Sequence, residues 1–252
     1  MELTPEQKRQ ISADYQRRLK SCVPWSPAMK WQPELNLIGS TFKTLNPFPE
    51  LAPSDLPVHQ LNPAQRADSP NKLFRYCIRL HRAGQHLESW FGSQMGSIIF
   101  DSDVQIPAVF QCRPGEPGVW NEFPWMSITP PEILTLREGT RLARGRVVIA
   151  GLGLGHQLIE VSKRLQVKEI ILVELNQELV DFYLPRIRPL VKKKLTVLVG
   201  DAYQVVPTLT ADVALIDIFP NYGSNEAATR ELARRSPKIK KMWGWGTADV
   251  RP

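Results

Sequence analysis

The stretch Arg146-Val-Val-Ile-Ala-Gly151-Leu152-Gly153-Leu-Gly155-His156-Gln157 reads as a buried strand running into a glycine turn and then a helix. Glycine has no Cβ, so it turns tightly and lets a ligand approach the backbone. The helix that opens behind the turn points free N–H groups toward that ligand. A second apolar run, Glu169-Ile-Ile-Leu-Val-Glu174, ends in an acid 19 residues beyond Gly155. At that distance a carboxylate accepts hydrogen bonds from both hydroxyls of a ribose. The two runs together describe half of a nucleotide-binding site.

Two more apolar runs end in acids, Leu195-Thr-Val-Leu-Val-Gly-Asp201-Ala202-Tyr and Asp212-Val-Ala-Leu-Ile-Asp217-Ile-Phe219. Four short apolar runs alternating with helix-like segments predict parallel strands joined by right-handed crossovers. Glu174, Asp201 and Asp217 then share one rim of the sheet, where open α/β folds bind ligands. Asp201 suits a hydrogen bond to the exocyclic amine of an adenine, with the Ala202 N–H on a ring nitrogen; a turn-forming aspartate is the plainer alternative. Asp217 is suited to hold a cationic ammonium or sulfonium, or to accept a proton from a nucleophile.

The glycine loop is not that of a dinucleotide site. His156 stands where GxGxxG requires its third glycine, and no GKS or GKT phosphate loop occurs in the chain. An adenosine end, no phosphate cradle and positive charge at the far end describe S-adenosylmethionine. His156 is read as a helix-start residue near this cofactor rather than as a base.

With 252 residues, 42% of them hydrophobic and 23% charged, the composition is that of an ordinary globular protein. No apolar run approaches the ~20 residues needed to span a bilayer, and the N-terminus has no apolar signal region. Cys22, Cys77 and Cys112 share no CxxC or CxH spacing, which argues against a disulfide framework or zinc site and fits a reducing cytoplasm. His59, His81 and His86 have no partners at metal spacing, so no metal is expected. The formal net charge of +7 fits an acidic partner such as nucleic acid. Its densest group is Arg230, Arg234, Arg235, Lys238, Lys240 and Lys241, with Trp243 and Trp245 behind; the plainer reading is a tail whose tryptophans cover the sheet. Lys192-Lys193-Lys194 reads first as a solvated helix end.

Residues 1 to about 68 hold nine of the 22 prolines. After a first helix from Thr4 to Lys20, opened by Thr4-Pro5-Glu6-Gln7, this segment is expected to wrap irregularly. Trp25, Trp31, Phe42 and Phe48 argue that it packs on something. From Ser69 to Gly92, Leu73, Tyr76, Cys77, Leu80, Leu87, Trp90 and Phe91 recur near the helical period with arginines opposite, predicting a helix. Ser97–Phe100, Ala108–Cys112 and 119–128 predict a small antiparallel sheet, broken at Asp101-Ser-Asp and at 114–118. Pro130-Pro131-Glu132 opens a helix reaching about Ala143. The organisation expected is a Pro-rich wrapping segment plus helix over 1–95, a β region over 96–130 and a Rossmann-like domain over 131–252.

Val148 to Gly155, Leu172-Val-Glu-Leu-Asn176, Leu198-Val-Gly-Asp-Ala202 and Ala214 to Phe219 together resemble motifs I to IV of class I S-adenosylmethionine-dependent methyltransferases. The closest branch by resemblance is the spermidine-synthase-like one, through Val173 to Pro185, the β-hairpins ahead of the Rossmann-like domain, and Glu132 19 residues before Gly151. The resemblance spans residues 96 to 224. It implies a parallel α/β sheet, S-adenosylmethionine as cofactor, and a cofactor site of Gly151, Leu152, Gly153, Gly155, His156, Gln157, Glu174, Leu175, Asp201, Ala202 and Asp217. Asp217 and Tyr222 would serve the reaction, and Phe219, Trp125 and Met126 would face the acceptor or pack in the core. Leu154 stands where aminopropyltransferases carry the acid of GGGDG, and Pro220 where they carry the second acid after strand four. A cationic polyamine loses its electrostatic partners there, so methyl transfer to an unidentified acceptor is the expected activity. Aminopropyl transfer with altered specificity is one alternative. The other is a non-catalytic interaction subunit: only 35 residues follow Asp217, too few for the usual further strands. Ile239 to Val250 then gives one more short strand at most, and the sheet edge left open invites a partner or a homodimer.

Overall fold

The computed structural model describes residues 4–21, 25–26, 28, 37–38, 42–91, 94–219 and 225–247. Helix α1 covers Pro5–Ser21. Its start is a reciprocal cap: Gln7 N–H donates to Thr4 Oγ1 at 3.2 Å and Thr4 N–H donates to Gln7 Oε1 at 2.8 Å. Such a box satisfies two N–H groups that have no partner inside the helix. Strand β1, Leu37–Ile38, follows.

Strands β2 (Arg66–Asp68) and β3 (Phe74–His81) come next, then β4 (His86–Phe91) and β5 (Gln94–Phe100). Strands β6 (Val104–Arg113), β7 (Glu116–Trp120) and β8 (Met126–Ser127) complete the antiparallel region. They form two sheets: β2-β3-β6-β7 with β8 added to β6, and β1-β5-β4. The break at 114–118 is a hairpin between β6 and β7, whereas the one at Asp101–Asp103 passes the chain from one sheet to the other.

The helix expected from Ser69 to Gly92 does not form; the segment is β3, a turn at Gly84 and β4. β3 is buried on both faces from Phe74 through Ile78, so alternation is absent and the apolar positions mimic a helical period. Arg75, which seemed to mark a solvent face, is 4% exposed. Its guanidinium makes a two-point pair with Asp68 (2.6 and 2.8 Å), donates to the Val58 carbonyl (2.9 Å) and lies 4.3 Å over the Trp120 ring. A buried charge is tolerated when paired and hydrogen-bonded in this way.

The second half is a parallel sheet. Helix α2 (Pro130–Leu142) leads into β9 (Gly145–Ala150), α3 (His156–Ser162), β10 (Val167–Glu174), α4 (Gln177–Ile187) and β11 (Lys194–Val199). Then come α5 (Ala202–Val205), β12 (Val213–Ile216), α6 (Glu226–Arg235) and β13 (Met242–Gly244). The strand order is β11-β10-β9-β12-β13, with every pairing parallel. This is the Rossmann-like arrangement, with the first strand central and the chain reversing direction of travel beside it. The stretch 239–250 supplies one three-residue strand, β13.

Alternate residues of β9 enter two cores. Val147 and Ile149 join Leu172 and Leu215 under α2, α3 and α4, while Val148 and Ala150 join Val173 and Ile216 over α5 and α6. Trp243, 2% exposed, lies against α2, where a Cβ on Gly139 would collide with its ring. Cys77 and Cys112 are buried free thiols, and burial pushes Cys77 up to about 12; Cys22 lies outside the described residues. Among the described residues, no helix is long and apolar enough to cross a membrane.

The wrapping segment joins the same core. Phe48, 1% exposed, stacks on Tyr76 of β3 at 4.3 Å and approaches Phe182 and Tyr183 of α4, with the Arg186 guanidinium 4.4 Å over its ring. Phe42 is also buried, with Trp25 edge-on at 5.2 Å; Trp31 lies outside the described residues. Replacing Phe48 with Ala empties a closed aromatic site, so Phe48→Ala should lower unfolding stability by about 3–5 kcal/mol in denaturant titration. A loss within the ~0.5 kcal/mol typical of surface positions would show that the segment does not contribute to the core.

Candidate functional site at the carboxyl rim of the parallel sheet

The register sets the site. Ala150 pairs with Val173 on one side and Ile216 on the other, and Glu174 pairs with Val199. Gly151, Glu174, Val199 and Asp217 therefore lie at one level, along the carboxyl edge of four adjacent strands, with Gly200 and Asp201 just beyond.

The three loop glycines have φ of +97° (Gly151), +52° (Gly153) and +73° (Gly155), a left-handed region that side chains rarely adopt. Two of them are also needed for packing. A Cβ on Gly151 would collide with the Asp217 carbonyl oxygen, and one on Gly155 with Ile187 Cδ1. Gly153 differs, since the nearest atom to its absent Cβ is Met126 Sδ at 3.6 Å. Its open side is the side a ligand can approach, and β8 brings Met126 beside it.

Glu174 is 5% exposed and holds the loop in place. Leu152 N–H donates to its Oε2 at 2.8 Å, and Asn176 N–H donates to its Oε1 at 2.9 Å. Asn176 Nδ2 also approaches Oε1, at 3.5 Å. A carboxylate has about four acceptor positions, so these donors leave a free position on Oε2. Leu152 itself is buried, and Leu175 beside Glu174 is exposed. Asp201 caps α5, its Oδ1 accepting from Tyr203 N–H at 2.9 Å, and Ala202 is buried behind it.

Asp217 is part-buried at the end of β12, and its N–H donates to the Ala150 carbonyl at 2.9 Å. Burial raises its carboxyl to about 7. Across from it is Glu132, on the first turn of α2. Burial, with the charge of Asp217 adding, raises Glu132 to about 8, against the pull of a hydrogen bond from Thr129 N–H. That bond places Glu132 in the third-residue position of a capping motif whose cap is Thr129. Pro130-Pro131-Glu132 marked this helix start in the sequence. Nothing local to it placed Glu132 against a strand end 85 residues later.

Other expected residues are placed as follows. Gln157 is 6% exposed, and both its amide atoms are buried without a partner. His156 opens α3 and lines a cavity with Ile159 and Lys163. Phe219 packs partly into the core of α5 and α6. Trp125, 42% exposed, stacks on Phe74 at 5.5 Å. Tyr222 lies outside the described residues. In the basic C-terminal group, Arg230 pairs with Glu226, Arg234 with Glu231 and Lys240 with Asp212.

No family model and no curated protein sequence matches the chain. Among solved structures it is similar to a putative RNA methyltransferase from Pyrococcus horikoshii, at 24% identity over 46% of this chain and 60% of that one, TM-score 0.35. It is similar also to a precorrin-6y C5,15-methyltransferase from Geobacter metallireducens, at 18% identity over 44% and 57%, TM-score 0.33. A third is TrmK of M. capricolum with S-adenosyl-homocysteine, at 15% identity over 42% and 48%, TM-score 0.35. The chain thus spans about half of the length of these proteins. Strand order and register, not these overlaps, define the fold.

Both rim carboxyls have folded values above the ~4 of an unfolded chain. Between that value and about 7 to 8 the folded state holds more protons than the unfolded one. The stability this pair contributes is therefore full below about pH 4 and is lost as pH rises through the folded values. Denaturant titrations from pH 5 to 9 should show wild-type stability declining with pH, and the decline should flatten in Glu132→Gln. An identical slope in the variant would show that the Glu132 carboxyl is not raised by the fold.

Proposed function

We propose that the chain binds S-adenosylmethionine across the carboxyl edges of β9, β10 and β11 and is a methyltransferase. The observation that carries this reading is Glu174: a buried acid, oriented by two backbone donors, with an acceptor position left on Oε2, beside a loop glycine whose missing Cβ would meet only Met126 Sδ within 4 Å. Its remaining lone pair on Oε2 suits a ribose hydroxyl. Asp201 and the Ala202 N–H suit the edge of an adenine, and exposed Leu175 offers an apolar face beside them. Gln157 carries an unsatisfied amide that the amino-acid end of the ligand would satisfy. No phosphate cradle is needed by such a ligand.

When bound, S-adenosylmethionine supplies a methyl carbon activated by a sulfonium. The residues of the chain orient and exclude water, since in-line displacement depends mainly on alignment and a suitable electrostatic pocket. Asp217 is placed to take the proton from the acceptor's nucleophile, and a carboxyl near 7 does so efficiently at neutral pH. Glu132 beside it holds its own proton at that pH, leaving one negative charge for the pair. Met126 and Phe219 form apolar walls, and Tyr222 stands close after Phe219 in the chain.

Calorimetric titration tests this directly. S-adenosylmethionine should bind one site per chain, and Glu174→Ala should weaken it by about 1–3 kcal/mol, the cost of losing a charge-assisted hydrogen bond. Heat from neither S-adenosylmethionine nor its decarboxylated form would remove the reading, and preference for the decarboxylated form would replace methyl with aminopropyl transfer.

A further inference from the structure

His156, Ile159, Glu160 and Lys163 follow the spacing that puts residues on one stripe along α3, with Ile159 reaching into the core. The stripe does not pack closely on what lies over it. Between α3, the strap Lys43–Leu45, Ile133 of α2 and the turn Leu190–Lys192 is a cavity of about 350 Å³. That volume lies within the ~300–1,000 Å³ common for small-molecule sites. Leu45, Ile133, Ile159 and Leu190 make its walls apolar.

Its charges are unbalanced. Lys163 pairs with Glu160 at 2.6 Å. Lys43 and Lys192 also line the cavity, and among the described residues neither forms an ion pair. Burial lowers His156 below its ordinary value, with Lys163 and Arg137 adding and Glu160 opposing. The imidazole therefore adds no charge of its own and leaves a net excess of ammonium groups over an apolar floor. The neighbouring cavity of about 360 Å³ shares Lys43 but also holds Asp103, and has no such excess.

We propose that this cavity binds a small amphipathic anion, an apolar body carrying one carboxylate or phosphate that sits between Lys43 and Lys192. The apolar walls favour an organic body over a bare inorganic ion, and the two exposed lysines favour an anionic group over a neutral or cationic one. The occupant would touch His156, the residue directly after Gly155, and so the helix that begins at the glycine loop. The site is separate from the rim acids and does not depend on the methyltransferase reading.

The test uses the full chain and 8-anilinonaphthalene-1-sulfonate, an aromatic anion whose fluorescence rises on binding. It should saturate at one site per chain and be displaced by octanoate, but not by equal inorganic phosphate or by saturating S-adenosylmethionine. Lys43→Glu with Lys192→Glu should weaken it tenfold or more, and Thr44→Trp, which fills the cavity from the strap, should do likewise. Octanoate should raise the thermal midpoint of the wild type and not of either variant, as expected of a ligand that binds only the folded chain. Non-saturating fluorescence, unchanged affinity in the charge-reversed chain, or displacement by phosphate or S-adenosylmethionine would each overturn the proposal. Should the double glutamate variant unfold, Lys43→Gln with Lys192→Gln removes the same charges, and unchanged affinity there is equally decisive.

Discussion

The hydrogen bond from Leu152 N–H to Glu174 Oε2 is the constraint around which the rim is arranged. It ties the glycine loop that follows the central strand to the end of the adjacent strand. The same carboxylate turns the chain at Asn176 into α4. On its other side the loop passes so close to β12 that Gly151 has no room for a side chain beside the Asp217 carbonyl. The ends of three strands are thus held in one geometry by backbone contacts and a single side chain. Groups fixed in this way lose little freedom when a ligand arrives, which is what preorganisation means in free-energy terms.

Helix α4 carries that geometry to the rest of the molecule. Tyr183 donates from its hydroxyl to the Leu154 carbonyl of the loop at 3.0 Å. Glu178, one turn earlier, accepts from the Ser69 hydroxyl and from Asn71 N–H, so the turn between β2 and β3 is latched to α4. Phe48 fills the space between Tyr76 and Tyr183. The antiparallel sheet therefore does more than precede the parallel one. It delivers Met126 to Gly153 and buries the Pro-rich segment against the same aromatic cluster.

The electrostatics of the rim are uneven by position. Glu174 is oriented by two backbone donors, while burial raises Glu132 and Asp217 well above the usual carboxylate range. Carboxyls of the same chemistry thereby differ through environment alone: burial leaves Glu132 and Asp217 readier to keep a proton near neutral pH. A pair of this kind suits a positively charged or proton-bearing ligand group and disfavours a second anion.

Much of the parallel half was legible in the sequence. Each apolar run supplies one strand, with Glu174 its last residue or with Asp201 and Asp217 just past its end, and the glycine turn and the Thr4-Pro5-Glu6-Gln7 cap are local signals that depend on a few consecutive residues. Local chemistry dictates such features wherever the chain places them. What involved distant partners was not legible. Residues 74–78 are a strand because both faces are covered by other parts of the chain, and that covering erased the alternation that identifies strands. Arg75 resembled a solvent-facing charge until Asp68, Val58 and Trp120 were brought around it. Glu132 read as part of a helix start, and only the packing of α2 beside β12 made it the partner of Asp217. The amino-acid order decided which segments prefer to be strands, turns and helices, because those preferences are short-range. The tertiary structure decided which charges are buried and which acids meet, because burial and pairing belong to residues far apart in the chain.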